Sequence, residues 1–407
     1  MYPIHNIRIH RKYIVLFLYI LFQQGSLLYA SSLNIEKVNF YTEDSTLLEG
    51  LLCLPKYAPK KIVIYIPPLE EYNALQSVLK QPSTDTPLNI FFHDLPNAGI
   101  GVFTFSMRAC REKDFSESIG TSTKYRAQTL NTLAEDAIHA YQFLRKDSRF
   151  SSLPIGVTGT SAIGRSAVMA AVKQTDISFV SIFSTPSTNN FDAAESSYAN
   201  GSVNYVALQG LFSDLWSIIS DVSFTYLGKE YTAPSSKELE QQFINCAWDC
   251  FKRINRTIIA NCADYDSIQL RATTLMKESF RWKKKEVWRM PKGTPDNVKT
   301  PNEYIDLLMF VWHKPIDISF LRWNFEEWYP RLQCPTLFVF AEEDKIIDVK
   351  KSVINVKNIM KEFDKTNFTI YVLEGLNHSF QTKETFAGKK NTLNNLSQKY
   401  IQWLDQI

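Results

Sequence analysis

Three side chains, Ser161, Asp344 and His378, have the types and the order along the chain that nucleophilic chemistry requires. A serine hydroxyl becomes a good nucleophile when a neighbouring imidazole removes its proton. A carboxylate fixes the orientation of the imidazole and stabilises the imidazolium as it forms. We therefore interpret Ser161 as the nucleophile, His378 as the base and then the acid, and Asp344 as the residue that orients His378.

Each of these residues follows a segment that reads as a buried strand. Ser161 follows "IGVTG", Asp344 follows "TLFVF", and His378 lies in "EGLNHSF" after "TIYVL". Because the carboxyl ends of parallel strands form one edge of a sheet, we expect the three side chains to meet there. The order serine, acid, histidine is the one that this kind of sheet uses for acyl transfer.

Other residues compete for two of these roles. Asp348 and Glu343 are alternatives to Asp344 as the acid. The histidines that follow residue 30 are His93, His139, His313 and His378. His139 falls within a predicted helix and His313 within a helical region, so the position of His378 after a strand favours it as the base.

The stretch around Ser161, "TGTSAIGRSAVMAAV", almost matches the G-x-S-x-G turn that displays a catalytic serine. Gly159 and Ser161 fit the pattern, but Ile163 stands where the second glycine belongs, and Gly164 comes one residue later. A serine that begins a helix is commonly a cap, which is the alternative interpretation of Ser161.

The elements that must position these residues alternate along the chain. The segment "IEKVNFYTEDSTLLEGLLCLP" predicts a hairpin, and short runs rich in β-branched and aromatic residues alternate with segments of helical periodicity. This pattern predicts an α/β fold with a mostly parallel, doubly wound sheet. We expect a core in two parts, residues 31–189 and 319–407, with residues 190–318 forming a helical cap over the strand ends that carry the site.

The first thirty residues predict export. Arg8, Arg11 and Lys12 precede a ten-residue apolar run, and a small residue, Ala30, follows it, which is typical of a cleaved signal peptide. The run is too short to span a bilayer comfortably, so no stable membrane anchor is expected. We therefore expect a periplasmic or secreted protein.

Charge and cysteine content exclude several classes of function. The whole chain has 407 residues and a formal charge of +3, and cleavage after Ala30 removes three basic residues and no acidic one, which leaves +3 − 3 = 0. A neutral protein has no electrostatic footprint for nucleic acid. The six cysteines lack the paired spacing of a zinc site, so we expect no metal and no cofactor. We interpret them as buried thiols, and a disulfide among Cys246, Cys250 and Cys262 is the alternative.

Two segments resemble a known family. "LQCPTLFVFAEEDKIID" is similar to "CPVLALNGEKD", and "VLEGLNHSFQT" is very similar to "PGLNHLFQ", both from exported α/β-hydrolases of the Bacteroidetes type in the serine aminopeptidase-like and esterase-like branch. The opening hairpin and the approach near Trp328 and Pro330 also fit. The resemblance covers most of residues 33–190 and 318–407. It implies an α/β-hydrolase fold and places nucleophile, acid and base on Ser161, Asp344 and His378.

The chain departs from the family at three places. Ile163 replaces a glycine of the nucleophile turn, and "SMRAC" keeps Arg108 of a family motif without its acids and glycine. The loop that should supply an oxyanion hole reads "IPPLEEYN", and Pro67 and Pro68 carry no backbone N–H. We therefore expect the hole to use the N–H of Ala162 together with that of Leu69 or Glu70.

The sequence thus predicts an exported serine hydrolase that cleaves a carboxylic ester through an acyl-enzyme. An aminopeptidase-like serine peptidase is an alternative, in which Glu70 and Glu71 would hold the substrate ammonium group. A degenerate hydrolase that acts as a binding protein is the other alternative, motivated by Ile163 and the two prolines. The expected partner is a small-molecule ester or peptide.

Overall fold

A mixed eight-stranded sheet forms the centre of the protein. The computed structural model describes residues 34–67, 90–108, 128–188, 203–219, 223–262, 264–283, 288–292, 294–381 and 393–407. The strands in chain order are β1 (Asn34–Tyr41), β2 (Leu47–Leu54), β3 (Lys61–Tyr65), β4 (Ile100–Phe105), β5 (Ile155–Thr160), β6 (Val180–Phe183), β7 (Ser223–Tyr226), β8 (Lys229–Thr232), β9 (Phe280–Arg281), β10 (Thr336–Ala341) and β11 (Phe368–Leu373).

The large sheet has the strand order β1-β2-β4-β3-β5-β6-β10-β11. The first two strands pair antiparallel with each other, and β2 pairs antiparallel with β4. All pairs from β4 to β11 are parallel. This mostly parallel sheet with an antiparallel hairpin at one edge is that of the α/β-hydrolase fold, so the predicted fold class is confirmed.

The hairpin between β1 and β2 closes through the predicted turn. Thr42 donates its N–H to the carbonyl of Thr46 at 3.0 Å, and Ser45 donates to the carbonyl of Thr42 at 3.0 Å. Ser45 has a φ of +62°. A polar residue tolerates this left-handed conformation better than the β-branched residues of the flanking strands do, which is why the chain reverses at Glu43-Asp44-Ser45.

Helices pack on both faces of the sheet and give it two apolar layers. The longer helices are α1 (Leu130–Lys146), α2 (Gly164–Lys173), α3 (Val203–Ile219), α4 (Ser236–Ile254), α5 (Tyr265–Ser279), α6 (Pro301–Trp312), α7 (Pro315–Arg322), α8 (Val349–Glu362) and α9 (Leu393–Gln406). Short helical turns span Ile90–Asp94, Leu95–Asn97, Ser161–Ile163, Asn255–Ile259, Phe325–Trp328 and Tyr329–Arg331. Along β3, Ile62 and Ile64 contribute to the layer beneath α1, α2 and α8, whereas Val63 and Tyr65 face the layer beneath α9. This alternation follows from the two-residue repeat of a strand.

The segment between β6 and β10 has a hydrophobic core of its own. Phe212, Phe243, Ile268 and Ile305 come from four different helices of this segment, α3 to α6, and belong to one buried cluster. The expected cap is therefore rich in helix, although residues 189–202, where it was predicted to begin, lie outside the described residues. That it covers Ser161 stays a prediction.

The same segment also contains a small antiparallel sheet, β8-β7-β9, that the sequence did not lead us to predict. A two-residue turn joins β7 to β8, with φ of +50° at Leu227 and +81° at Gly228. Such turns match the twist of a hairpin and favour glycine. The rings of Phe224 and Tyr231 stack across the hairpin at 5.0 Å between centroids. The dipeptide "LG" between two aromatic-rich runs was the available signal.

Helix α7 connects this inserted segment to the sheet layers. Ile316 belongs to the main core, whereas Ile318, two residues later, belongs to the core of the insertion. Ser319 Oγ accepts the backbone N–H of Leu130 at 2.9 Å, and Arg322 Nε donates to the carbonyl of Ile259 at 2.9 Å. One helix thus ties the beginning of α1 to the insertion.

The predicted signal peptide, residues 1–30, lies outside the described residues. Among the helices that are described, none is both long enough and apolar enough to cross a membrane.

Candidate active site

Ser161 lies at the turn between β5 and α2. Strand β5 ends at Thr160, residues Ser161–Ile163 form a 3-10 turn, and α2 begins at Gly164. Ser161 has a φ of +50°, a conformation that costs free energy for any residue with a Cβ and that concentrates at functional sites. The side chain does not cap the following helix, because its Oγ is hydrogen-bonded to His378 instead.

Two glycines allow this turn to be tight. A Cβ on Gly159 would lie 2.9 Å from the carbonyl oxygen of Ile163. A Cβ on Gly164 would lie 1.9 Å from Oγ1 of Thr185 and 3.2 Å from Cβ of Ile182. The close approach between the turn and β6 therefore falls on Gly164, one residue later than in G-x-S-x-G.

Ile163 does not crowd the corner of the turn. Its side chain is only 2% exposed and belongs to the main core cluster, together with Val157 and Ala167 from the flanking strand and helix. The bulk of Ile163 is therefore packed on the buried side of the turn. The isoleucine therefore adds a side chain to the core beneath the turn. Ser161 is still the first residue of the turn.

His378 joins the serine to the acid. Its Nε2 lies 2.9 Å from Ser161 Oγ, and its Nδ1 lies 2.7 Å from Asp344 Oδ2. A carboxylate can only accept, so the proton on the ring resides on Nδ1, and Nε2 accepts the hydroxyl proton of Ser161. In this tautomer the imidazole is arranged to act as a base towards Ser161.

Asp344 is the acid that the structure brings to His378. Its side chain is fully buried. The second oxygen, Oδ1, accepts the backbone N–H groups of Ile346 at 2.8 Å and Ile347 at 3.1 Å. These bonds fix the carboxylate plane. The alternative Asp348 instead caps α8, with its Oδ1 accepting the N–H of Lys351 at 2.9 Å.

The loops that carry Asp344 and His378 are bonded to each other beyond the paired strands. Glu342 donates its N–H to the carbonyl of Leu373 at 2.9 Å, and Glu343 donates to the carbonyl of Leu376 at 2.9 Å. The parallel pairing of β10 and β11 thus extends towards the site. Backbone hydrogen bonds that continue the β10–β11 pairing therefore connect the loop of Asp344 to the loop of His378.

His378 is mounted on a tight turn that Asn377 closes. The side-chain Oδ1 of Asn377 accepts the backbone N–H of Ser379 at 3.0 Å and that of Gln381 at 3.0 Å. Phe380 has a φ of +56°, is buried, and packs edge-on against Phe183 of β6 at 5.9 Å between ring centroids. The turn is therefore anchored to the strand beside the one that leads to Ser161.

The remaining histidines lie elsewhere. His93 pairs with Asp94 at 2.9 Å, and His139 Nε2 accepts the N–H of Glu43 at 3.2 Å. His313 is buried in the insertion against the ring of Phe251, and burial lowers its pKa to about 4. None of these three is bonded to Ser161.

Arg108 of "SMRAC" forms ion pairs that connect two elements of the fold. Its guanidinium binds the fully buried carboxylate of Asp136 on α1, with 3.0 Å from Nε and 2.7 Å from Nη2, and also contacts Asp44 in the β1–β2 turn. Burial raises the pKa of Asp136 to about 6, against the opposing effect of Arg108. A hydrogen bond from Thr42 is the main cause that lowers the pKa of Asp44. This cluster ties the hairpin to α1.

One of the two predicted oxyanion donors lies in the described part of the chain. Ala162, one of the two predicted oxyanion donors, follows Ser161 directly in the turn. The other donor, Leu69, and the acidic residues Glu70 and Glu71 lie outside the described residues.

Within the described ranges, no group of three or more histidine, cysteine or acidic side chains could hold a metal ion. Five cysteines fall in those ranges, namely Cys53, Cys246, Cys250, Cys262 and Cys334, and all are free thiols. The alternative disulfide among Cys246, Cys250 and Cys262 is therefore wrong for this structure.

One residue near the site was missed by the sequence analysis. Ser184 follows β6 with a φ of +45° and is buried. The signal that could have found it is its place, since it also follows a core strand at the edge that carries Ser161.

Comparisons with known proteins give likeness in fold alone. No family model and no curated protein matches the sequence. Among solved structures, an esterase of Pyrococcus furiosus aligns over 92% of this chain and 92% of its own, with 12% identity and a TM-score of 0.48. A carboxyl esterase of Bacillus coagulans aligns over 92% and 98%, with 12% identity and a TM-score of 0.49. A dienelactone hydrolase of Anabaena variabilis aligns over 92% and 98%, with 9% identity and a TM-score of 0.43.

The strand order and the strained turn at Ser161 define the class of fold. The chain has the α/β-hydrolase fold, with a hydrogen-bonded serine, histidine and aspartate at the carboxyl edge of its sheet.

Proposed function

We propose that the protein is a serine hydrolase that cleaves carboxylic esters. The observation that carries the proposal is the linked pair of hydrogen bonds at His378, 2.9 Å to Ser161 Oγ and 2.7 Å to the buried Asp344. Each of the three residues comes from a different loop, and Ser161 has a φ of +50°, which is unfavourable for a serine. Such convergence supports chemistry better than any of the residues does alone.

The reaction proceeds in two halves on these residues. As Ser161 Oγ attacks the ester carbonyl carbon, His378 Nε2 takes the hydroxyl proton and Asp344 stabilises the imidazolium. His378 then returns the proton to the leaving alkoxide, and the acyl group remains on Ser161. In the second half, His378 deprotonates a water molecule that attacks the acyl carbon, and the same proton returns to Ser161 as the acid leaves.

The oxyanion formed in both halves requires donors. We propose the backbone N–H of Ala162, next to the nucleophile, and that of Leu69 from the loop after β3. The prolines at 67 and 68 leave few other donors in that loop. Since the removal of one donor from a measured oxyanion hole costs about 10²–10³ in rate, a poorly placed second donor would give a slow enzyme.

The packing of Ile163 argues against a degenerate site. The alternative of a binding protein rests on Ile163 and on the two prolines. Of these two grounds, the first is weakened, because Gly164 takes the close contact with Thr185 and Ile163 is packed in the core. A turn that still displays a strained serine to a histidine supports an enzyme. Peptide cleavage remains an outcome that substrate tests would distinguish from ester cleavage.

We also propose that the enzyme is exported and acts on a small-molecule substrate in the periplasm or outside the cell. The basic head and apolar run before Ala30 support this location. Mass spectrometry of the native protein would find an N-terminus near Ser31. Recovery of the chain with residues 1–30 still attached, in the cytoplasmic fraction, would contradict it.

The function is tested by hydrolysis of p-nitrophenyl acetate and butyrate. Ser161→Ala and His378→Ala should each reduce kcat/KM by at least about a thousandfold and to a similar level, because the members of a triad act as a unit. Ser279→Ala is the matched control, because it changes a buried serine of the insertion whose Oγ donates to the carbonyl of Leu275 at 2.7 Å. Ester hydrolysis that survives Ser161→Ala would refute the proposal.

A further inference from the structure

Ser184 occupies a central position among the three proposed catalytic residues. In the sheet, Phe183 pairs with Thr160 on one side and with Val339 on the other. Ser184 is therefore the next residue after Phe183, as Ser161 is the next after Thr160. Adjacent strands lie about 4.8 Å apart, so these two serines leave neighbouring strands side by side.

The histidine turn reaches the same strand end. The ring of Phe183 packs against Phe380, two residues beyond His378. On the other side, Ser184 donates its N–H to the carbonyl of Val339 at 2.8 Å, on the strand that leads to Asp344. Ser184 is thus bracketed by the elements that carry the nucleophile, the base and the acid.

The side chain of Ser184 is unusual in two further respects. The residue is 1% exposed, and its Oγ has no hydrogen-bond partner within the part of the chain that the structure describes. A buried hydroxyl without a partner is costly. Its φ of +45° is also a conformation that polypeptides avoid outside turns and functional sites. A role in packing alone would be served at lower cost by alanine or glycine.

We propose that the Ser184 hydroxyl binds the acyl part of the substrate. This inference rests on the proposed esterase function and extends it to a substrate class. Because Ser161 and Ser184 leave neighbouring strands in register, we expect the α-carbon of an acyl group on Ser161 Oγ to lie close to residue 184. The preferred substrates are esters whose α-carbon carries a hydroxyl group, since a hydroxyl both donates to and accepts from Ser184.

The specificity arises because leaving a buried hydroxyl without a partner costs more free energy than a typical hydrogen bond contributes. A site with an unpaired polar group discriminates strongly against an analogue that cannot pair with it. An unsubstituted alkanoate leaves the Ser184 hydroxyl without a partner, whereas a 2-hydroxy ester satisfies it. The pair of probes that isolates this difference is ethyl lactate, as each enantiomer, and ethyl propionate.

The first measurement compares hydrolysis of these two esters by titration of the acid released. The wild-type protein should favour one enantiomer of ethyl lactate in kcat/KM. Ser184→Ala and Ser184→Gly should each lower the ratio of kcat/KM for lactate over propionate by about tenfold to a hundredfold, the size expected for one buried hydrogen bond. Glycine tolerates positive φ, so it provides a second variant if alanine folds poorly. Ser279→Ala should leave the ratio unchanged.

The second measurement follows binding without turnover. In a Ser161→Ala background, ethyl lactate should bind more tightly than ethyl propionate by NMR titration, and adding Ser184→Ala should remove the preference. If this preference depends on Ser184 but the wild-type protein, with Ser161 intact, hydrolyses neither ester, the esterase function is refuted and binding of the hydroxy ester at Ser184 is upheld. Hydrolysis that depends on Ser161, with a lactate-to-propionate ratio unaffected by both Ser184 variants, would overturn the inference and leave the function standing.

Discussion

Gly164 and Thr185 approach each other so closely that a Cβ on Gly164 would lie 1.9 Å from Thr185 Oγ1. The contact joins the first residue of α2 to the loop that follows β6. It explains why the turn that displays Ser161 works without a glycine at position 163. The glycine that the turn needs is present, one residue later.

Gly164→Ala should therefore destabilise the protein. The added methyl group must displace Thr185 or the helix, and overpacking of this kind costs about 1–3 kcal/mol in the free energy of unfolding. Gly210→Ala is the matched control, because no atom of the described residues lies within 4 Å of a Cβ there. Alanine at this helical position should stabilise by about 0.5–1 kcal/mol. Urea unfolding measures both, and equal stability of Gly164→Ala and the wild type would contradict the contact.

A double variant tests the same contact from the other side. Thr185→Ala removes Oγ1 and leaves Cβ of residue 185 at 3.1 Å from the added methyl group. Gly164→Ala together with Thr185→Ala should recover part of the lost stability. Simple additivity of the two single changes would show that Thr185 is not the obstacle.

Ile163→Gly should lower stability although it restores the family motif. The side chain is buried in the main core, so its loss should cost about 2–5 kcal/mol, and glycine adds about 0.5–1 kcal/mol of backbone entropy. Ile163→Val, which removes one methyl group, should cost only about 0.5–1.5 kcal/mol. If Ile163→Gly were as stable as the wild type by urea unfolding, the isoleucine would not be part of the core.

Asn377→Ala should slow the reaction by releasing the turn that positions His378. Two backbone N–H groups lose their acceptor, and small displacements of a catalytic group cost up to about a hundredfold. We expect kcat for p-nitrophenyl butyrate to fall about tenfold or more with KM little changed. Asn377→Asp keeps an acceptor oxygen and should restore most of kcat.

The control for Asn377 is Asn261→Ala, which changes an exposed asparagine whose side chain donates to the carbonyl of Thr257 at 3.0 Å. It should leave kcat unchanged. A fall in kcat for Asn377→Ala that Asn377→Asp does not restore, or a parallel loss of folded protein by circular dichroism, would show that the side chain acts on stability and does not position His378.

The buried thiols should resist alkylation in the folded protein. Burial raises the pKa of Cys53 to about 12 and those of Cys250 and Cys334 to about 11, so their reactive thiolate forms are scarce at pH 8. Cys262 is half-buried and should react with iodoacetamide before Cys53, Cys250 and Cys334 do. Peptide mapping at pH 8, with and without guanidinium, gives the comparison. Labelling of Cys250 as fast as Cys262 under native conditions would contradict the structure.

Features that depend on strand ends were predictable from the sequence. The positions of Ser161, Asp344 and His378 after core strands were predicted from three apolar runs. A run of apolar, β-branched residues that stops at polar residues indicates both a buried strand and the place where it ends. The topology of a parallel sheet then brings such ends together.

Features that depend on contacts between distant segments were not predictable. The depth of Ile163 in the core and the distance between Gly164 and Thr185 depend on how α2 lies against β6, which no local pattern encodes. The small sheet of β7, β8 and β9 could not be predicted from the sequence for a similar reason. Its third strand, Phe280–Arg281, lies far along the chain from the hairpin that it joins.

The most direct test of the account is the site of covalent modification by a fluorophosphonate probe. The probe reacts with a serine only when a base activates it, so it reports on Ser161 and His378 together without a choice of substrate. We predict that mass spectrometry of the labelled, folded protein finds the phosphonate on Ser161, that Ser161→Ala is not labelled, and that His378→Ala is labelled far more slowly. Labelling of a different serine, or none in a protein that hydrolyses esters, would contradict the account.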